Sequence, residues 1–223
     1  EQCQAKYIAL CEGDDYWTNS KKARKKVYFL DANKEYVLTY HNARIVNEFG
    51  SEISDPQLAK TRQNDVTERE IKETKFILTL TMFFRNYVKQ YPSNFLSIYN
   101  GYTALVSLLG NYGKEKYLNE VAPVAYRQHD GGIWSGENSV NKKIKSLNTS
   151  LQLLKYYKNK KNKPLVVHFK SKLLISLNDL SNAPLNNEQK SFLSSYIVKN
   201  LFVIGPRKAQ YYLSNIYFKK GKT

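Results

Sequence analysis

Three carboxylates lie within four positions near the start of the chain, at Glu12, Asp14 and Asp15. They follow residues 7–11, a mostly apolar run that is typical of a short buried strand. Open α/β sheets bind their ligands beyond the C-terminal ends of such strands. Adjacent carboxylates repel one another, and a divalent cation relieves that repulsion. The spacing therefore indicates a site for Mg²⁺ or Mn²⁺, hard cations that leave coordination positions open for phosphate oxygens.

A solvated acidic turn is the alternative interpretation of these carboxylates, because short acidic motifs occur often by chance. Tyr16 and Trp17 follow directly and offer a stacking face for a sugar ring. Packing in the core is the alternative for this aromatic pair. The loop is thus a candidate site whose interpretation depends on the elements around it.

A helix is predicted from about residue 20, because Ala23, Val27 and Leu30 recur at i, i+4 and i+7. The lysines between these positions form a basic face: Lys21, Lys22, Lys25 and Lys26. Exposed lysines are common on helices, so this face is expected in solvent, with contact to a diphosphate as the alternative.

Further segments complete a predicted α/β domain. Residues rich in β-branched and aromatic side chains form three predicted strands: 36–40, 43–46 and 76–86. Thr67 and Glu70 fit a capping box that opens a short helix. Residues 102–112 predict another helix, which ends at Gly113. His41, a single polar ring between two strands, is interpreted as structural.

Two segments resemble family 2 glycosyltransferases with the GT-A fold. YIALCEGDDYW resembles the acidic metal-binding motif of that family, usually Asp-x-Asp, with Glu12 at the first Asp, Asp14 at the second and Asp15 as an extension. Residues 116–135 resemble the closing segment of the family, in which a strand delivers a histidine beside the nucleotide diphosphate. Here that histidine is His129, and without the resemblance it would be interpreted as an ordinary strand-end residue.

The resemblance covers residues 5–135 and implies roles for particular side chains. The metal ligands it implies are Asp14, Glu12, Asp15 and His129. The residues it places at the nucleotide diphosphate are Asp14, Asp15, His129 and Arg127. The substrate contacts it implies are Tyr16, Trp17, Arg85 and Trp134. A structural salt bridge at a strand end is the alternative for Arg85.

The family also has an aspartate at the start of the helix near residue 102, where it acts as the general base. This chain has Asn100, Gly101 and Tyr102 there. An amide is not basic and a phenol titrates near 10, so neither side chain deprotonates a hydroxyl near pH 7. The catalytic base is therefore unassigned, and a non-catalytic relative that binds nucleotide or glycan is the alternative function.

Charge divides the chain into two parts. Residues 1–138 contain 18 Lys and Arg against 17 Asp and Glu, whereas residues 139–223 contain 17 against 2. Glycines at 131, 132 and 136 lie next to this change. The predicted fold is α/β: the C-terminal two-thirds of a GT-A, Rossmann-like domain over residues 1–136, followed by an all-helical basic tail over residues 137–223.

The tail is predicted to contain four helices. One apolar stripe runs from Val140 to Tyr157, a second helix opens at Pro164, a third ends at Gly205 and a fourth follows it. The net charge of +15 suits an anionic membrane surface, although a merely solubilising surface remains the alternative. Nucleic acid is disfavoured, because no recognised nucleic-acid-binding motif is present.

The function implied by the resemblance is metal-dependent transfer of a sugar from a nucleotide-sugar to a hydroxyl of a growing cell-surface glycan or lipid-linked acceptor, with inversion. The first strand of the family's domain and its base-binding segment precede the equivalent of Glu1, so this polypeptide alone is expected to be inactive. Cys3 and Cys11 lie too far apart on one strand to form a disulfide, and no run is long enough to span a membrane. The expected location is the cytoplasm, at the inner face of the membrane.

Overall fold

The computed structural model describes residues 3–54, 57–129 and 137–218. These residues belong to two compact units, one within Glu1–Leu96 and Gly101–Gly136 and the other within Ser97–Asn100 and Glu137–Thr223. The first contains both strands and helices, and is called the α/β unit below. The second is built from helices and is called the helical unit.

The α/β unit contains ten regular elements in the described residues. In chain order they are β1 (Tyr7–Ala9), α1 (Lys22–Ala32), β2 (Tyr36–Tyr40), β3 (Ala43–Val46), β4 (Glu52–Ser54), α2 (Glu68–Lys72), β5 (Phe83–Arg85), α3 (Gly101–Leu109), β6 (Lys114–Tyr117) and β7 (Val124–Arg127). Short 3₁₀ turns occur at Lys60–Arg62, Thr79–Thr81 and Ser93–Ser97.

The strands form two small mixed sheets. The first has the order β1-β5-β2-β6, with antiparallel pairs on both sides of β5 and a parallel pair between β2 and β6. The second has the order β4-β3-β7, with β3 antiparallel to β4 and parallel to β7. Apolar side chains from β2, the 3₁₀ turn at Thr79–Thr81 and α3 form one buried core. Each parallel pair therefore joins residues 36–46, in the first quarter of the chain, to the strands at residues 114–127.

The strands predicted at 36–40 and 43–46 are confirmed with those bounds, and the capping box of Thr67 and Glu70 is present at the start of α2. The prediction of one strand over residues 76–86 is wrong. A 3₁₀ turn occupies Thr79–Thr81, because the Thr81 hydroxyl donates to the Leu78 carbonyl at 2.7 Å and turns the backbone before β5 begins.

The helical unit contains α4 (Ser139–Asn159), α5 (Lys163–Ser181), α6 (Asn187–Lys199), α7 (Leu201–Ile204) and α8 (Pro206–Phe218). Pro164 lies in the first turn of α5, as predicted. The predicted third helix is divided into α6 and α7, because the Asn200 side chain donates to the Tyr196 carbonyl at 2.8 Å and its backbone leaves helical geometry. Within the described part of the chain, no helix is both long enough and apolar enough to cross a bilayer.

Gly113 gives a direct test of the junction between β2 and β6. Its φ is +154°, and a Cβ there would lie 2.5 Å from the Glu35 carbonyl oxygen, which accepts the Lys114 amide at 2.8 Å. We expect Gly113→Ala to lower the free energy of unfolding by roughly 1–3 kcal/mol, because the Glu35 backbone must move.

Urea unfolding followed by circular dichroism measures this effect. Gly101→Ala is the matched control, since nothing lies within 4 Å of a Cβ at that position. Equal stability of the two variants would contradict the proposed crowding at residue 113.

Candidate functional site

The acidic loop over residues 12–15 is held against the end of β7. Tyr16 forms an isolated antiparallel bridge with Ala125, in which the Tyr16 amide donates at 3.3 Å and the Ala125 amide donates back at 3.1 Å. The Thr18 hydroxyl donates to the Pro123 carbonyl at 2.5 Å. These contacts bring the segment after β1 beside a strand more than a hundred residues later in the chain. The loop therefore faces residues 127–129.

The carboxylates of Asp14 and Asp15 each contact one residue at or just after the end of β7. One Asp15 oxygen accepts the Arg127 amide at 2.8 Å, while its other oxygen is buried and no N–H group reaches it. The Glu12 carboxyl is within hydrogen-bonding reach of Asp15 and can donate to it when protonated. An Asp14 oxygen lies 3.0 Å from Nε2 of His129. The structure thus brings together Asp14, Asp15, Arg127 and His129, four residues that the sequence assigned to one site.

Negative charge at this loop is incompletely compensated. Burial raises the pKa of Asp15 above its ordinary value, against the opposing hydrogen bond from the Arg127 amide. Partial withdrawal from water, together with the neighbouring Asp15 and Asp14, raises the pKa of Glu12. Raised carboxyl pKa values mean that the ionised forms lack sufficient solvation or positive charge. A cationic ligand would supply what is missing.

The donor set fits a cation that is shared with phosphate oxygens. Among the residues that the structure describes, no group of three or more His, Cys, Asp or Glu side chains is arranged to hold a metal ion. Mg²⁺ at phosphate sites commonly takes only one or two protein carboxylates, with the remaining positions filled by phosphate and water. The buried oxygen of Asp15 that no N–H group reaches is a suitable ligand atom for such an ion.

The Arg127 guanidinium donates to main-chain carbonyls and not to a carboxylate. Its Nε donates to the Asp14 carbonyl at 2.9 Å, another guanidinium nitrogen donates to the Glu48 carbonyl, and its carbon atom Cζ lies 5.6 Å from the centre of the Tyr16 ring. A guanidinium held this way fixes the position of Asp14 and Tyr16. Its charge still lies close enough to the carboxylates to lower their mutual repulsion.

Trp17 lies at the surface of the loop with 37% of its area exposed. The ammonium group of Lys22 lies 4.0 Å from the centre of its ring and donates to the Leu80 carbonyl at 3.2 Å. The indole therefore has one face against a cation and remains partly open to solvent. Tyr16 is half-buried, and its hydroxyl lies beside Gly50, 3.5 Å from the position that a Cβ would take there.

The basic face of α1 is buried where exposure was expected. Lys22 is 1% exposed and Lys26 is fully buried, whereas the predicted apolar positions Ala23 and Val27 are only half-buried. The Lys26 ammonium group donates to the Thr81 carbonyl at 2.7 Å and to the Thr39 carbonyl at 3.4 Å. The prediction of a solvent-exposed or diphosphate-binding face is wrong for these two lysines, because main-chain carbonyls bind them inside the unit.

Burial changes the protonation of this interior. Desolvation lowers the pKa of Lys22 to about 7 and holds the pKa of Lys26 well below its ordinary value. Desolvation, with Lys26 and Lys22 nearby, lowers the pKa of His41 to about 2, so its ring stays neutral. Burial raises the pKa of Glu115 well above its ordinary value. Sequence reasoning missed the two lysines, since their acceptors lie in segments far away in the chain.

Arg85 lies apart from the acidic loop and is a structural residue. It is 2% exposed, and it donates to the carbonyls of Tyr36 at 2.9 Å, Asn33 at 3.2 Å and Leu30. The Leu30 and Asn33 carbonyls lie at the C-terminal end of α1, where a positive charge is stabilised by the negative end of the helix dipole. The Arg85 guanidinium therefore makes structural contacts in place of the predicted substrate contact. Its partners are main-chain carbonyls, whereas the alternative had predicted a salt bridge.

The remaining predicted residues are separated from the loop or lie outside the description. Gly101 and Tyr102 begin α3, and Tyr102 lines a small cavity with Thr74, Phe76 and Val106. No carboxylate belongs to the residues that line this cavity. Trp134 lies outside the described residues.

Comparison with known proteins identifies relatives without an assigned activity. No family model matches the chain, and no solved structure matches it. An uncharacterized protein of Mycobacterium bovis is 34% identical over 134 residues, which cover 59% of this chain and 37% of the relative. Two uncharacterized proteins of Mycobacterium tuberculosis match with the same identity and coverage. The matched region thus spans little more than a third of these relatives.

The structural role of Arg85 can be tested by measuring how its replacement changes stability. We expect Arg85→Met to lower the free energy of unfolding by about 2 kcal/mol or more, because one buried and two part-buried carbonyls lose a charged donor. Arg24→Met, on the exposed side of α1, is the control and should change it by less than about 0.5 kcal/mol. Urea unfolding measures both. A variant as stable as the control would contradict the structural role.

The lysine interior predicts a pH dependence of stability. Between pH 7 and about 10.5 the unfolded chain protonates Lys22 while the folded chain does not, so the free energy of unfolding should rise with pH in that window. Lys22→Met should reduce this rise, leaving the part that Lys26 contributes. Lys21→Met, which removes an exposed lysine, should leave the rise as in the parent chain. Urea unfolding at several pH values from about 7 to 9 distinguishes these outcomes.

Proposed function

We propose that the α/β unit binds the diphosphate of a nucleotide-sugar at the acidic loop and belongs to a glycosyltransferase of family 2 with a GT-A, Rossmann-like domain. The observation that supports this most directly is a cluster of carboxyl groups with too little positive charge: a buried oxygen of Asp15 that no N–H group reaches, with Glu12 beside it and Asp14 3.0 Å from His129. The resemblance of residues 5–135 to that family supports the same reading. Transfer would be to a hydroxyl of a cell-surface glycan or lipid-linked acceptor.

The loop carboxylates would hold Mg²⁺ or Mn²⁺ against the diphosphate. Asp14 and Asp15 are the first ligands proposed, with Glu12 beside them; the cation would neutralise charge on the leaving diphosphate. His129 lies 3.0 Å from Asp14 and would donate a hydrogen bond to a phosphate oxygen at the same place. Arg127 would keep the loop backbone in position through its bond to the Asp14 carbonyl.

Trp17 would contact the sugar. The indole ring is partly exposed, and the Lys22 amino group against one face fixes the orientation of the ring. A fixed aromatic face binds a pyranose ring by apolar contact at low cost in side-chain entropy. This arrangement would place the sugar beside the diphosphate that the loop binds.

Binding without transfer is the second candidate, and the start of α3 favours it. Tyr102 occupies the position at which the resembling family has its aspartate base, and the cavity beside it is lined without a carboxylate. A phenol is not an efficient general base near pH 7. A protein of this kind would recognise nucleotide or glycan and leave the glycosidic bond intact.

Asp14→Asn tests the binding step. The change removes one charge from the loop with almost no change of shape, so affinity for a nucleoside diphosphate in the presence of Mn²⁺ should fall roughly tenfold or more, about 1.4 kcal/mol. Calorimetry with uridine, guanosine and thymidine diphosphates measures the affinity. Glu35→Gln, an exposed site with the same change of charge, is the control and should bind as the parent does.

Equal affinity of Asp14→Asn and the parent would refute the proposed site. Release of free sugar or nucleoside diphosphate from a nucleotide-sugar, dependent on Mn²⁺ and lost in Asp14→Asn, would support the transferase. Binding that depends on Asp14, without any turnover in the full-length protein, would support the second candidate.

A further inference from the structure

A short apolar segment protrudes from the helical unit at the corner between α6 and α8. Val198 is 61% exposed, Leu201 is 40% exposed and Phe202 is 104% exposed. These three residues, called the α7 tip below, lie within five positions at the end of α6 and the start of α7. Phe202 is as exposed as it would be in an extended chain.

The exposure of the α7 tip is not a consequence of loose structure. Ile204 in the same helix is 2% exposed and belongs to the buried cluster that also contains Ile197 and Leu193. The Gly205 amide donates to the Leu201 carbonyl at 2.8 Å, which closes the short helix. Helix α7 is therefore anchored by Ile204 and Val203, and it presents Leu201 and Phe202 outward.

Basic residues lie close to the α7 tip in the sequence. Lys199, Arg207 and Lys208 are exposed on either side of it. Among the described residues, no salt bridge joins any of the three to a carboxylate. The sequence contains no Asp or Glu after Glu188. The tip is thus an exposed apolar segment in a stretch of sequence, residues 189–218, whose charged side chains are all positive.

We infer that the α7 tip docks on an anionic lipid bilayer. A bilayer interface accepts separate apolar side chains at the boundary between headgroups and acyl chains, and it binds lysine and arginine through anionic headgroups. Phe202 and Leu201 would enter that boundary, while Lys199, Arg207 and Lys208 remain at the headgroups. This surface is independent of the proposed sugar transfer, so either can fail without the other.

Vesicle binding tests the apolar part of the inference. The chain should bind phosphatidylcholine vesicles that contain about a third phosphatidylglycerol, and bind pure phosphatidylcholine weakly. Phe202→Ala should weaken partitioning roughly tenfold or more. Ile175→Ala is the matched control, because Ile175 is 62% exposed on α5, away from the tip in sequence. Since Phe202 is exposed, its variant should keep the circular dichroism spectrum of the parent.

A charge series tests the basic part. Replacing Lys199, Arg207 and Lys208 together with Gln should weaken binding by on the order of a hundredfold, at about fivefold for each charge. The control replaces three exposed lysines of α4 and α5 with Gln: Lys155, Lys158 and Lys163. The control removes the same charge and should lose much less affinity. Raising salt from about 0.1 M to about 1 M should weaken binding of the parent.

Insertion depth provides a third measurement. Phe202→Trp should gain tryptophan fluorescence that brominated phospholipids quench, beyond any quenching in the parent. Equal losses in the two charge variants would show that diffuse charge binds vesicles without the α7 tip. Single-stranded RNA binding that Phe202→Ala abolishes, with vesicle binding unchanged, would assign the surface to nucleic acid. Either result, or absent quenching, would overturn the inference.

Discussion

Two lysine amino groups on the inner face of α1 must find acceptors inside the α/β unit, and much of the local structure follows from this requirement. A buried amino group without a hydrogen-bond acceptor costs free energy, whether it is charged or neutral. Lys26 is satisfied by the Thr81 and Thr39 carbonyls, and Lys22 by the Leu80 carbonyl and the Trp17 ring. A regular strand over residues 79–81 would commit those carbonyls to a neighbouring strand. In the 3₁₀ turn the Leu80 and Thr81 carbonyls are free to accept from the lysines of α1. Lys22 also contacts the Trp17 ring, so its position orients the surface of the acidic loop.

The acidic loop has the opposite problem, because its charges lack partners. Asp15 uses one oxygen to accept the Arg127 amide and leaves the other buried, where no N–H group reaches it. The pKa values of Asp15 and Glu12 are raised accordingly. The interior behind the loop therefore satisfies its cations with main-chain oxygens and offers the carboxylates no ammonium group. An external cation bound with a phosphate is the chemical complement of such an arrangement.

Local signals predicted the elements that depend on local interactions. The capping box of Thr67, the proline that opens α5 and the strands Tyr36–Tyr40 and Ala43–Val46 agree with the sequence because neighbours in the chain determine them. Proximity of Asp14 and His129 was implied by resemblance alone, and the structure brings them together. The roles of Lys22, Lys26 and Arg85 were missed, since their carbonyl partners lie about 50 residues away and a carbonyl direction leaves no trace in residue type. Asn200 shows the reverse case, in which one side chain interrupted an otherwise helical pattern.

The long separation between the halves of the candidate site has a consequence for how the chain folds. Asp14 and His129 are 115 positions apart, and the parallel pairs β2 with β6 and β3 with β7 also close long loops. Loops of this size form slowly, whereas the α4 and α5 hairpin joins neighbouring segments. The helical unit should therefore acquire structure well before the acidic loop meets its histidine. A partly folded chain would then be helical by spectroscopy and yet have no assembled loop, so ligand binding at the loop reports completion of the whole α/β unit.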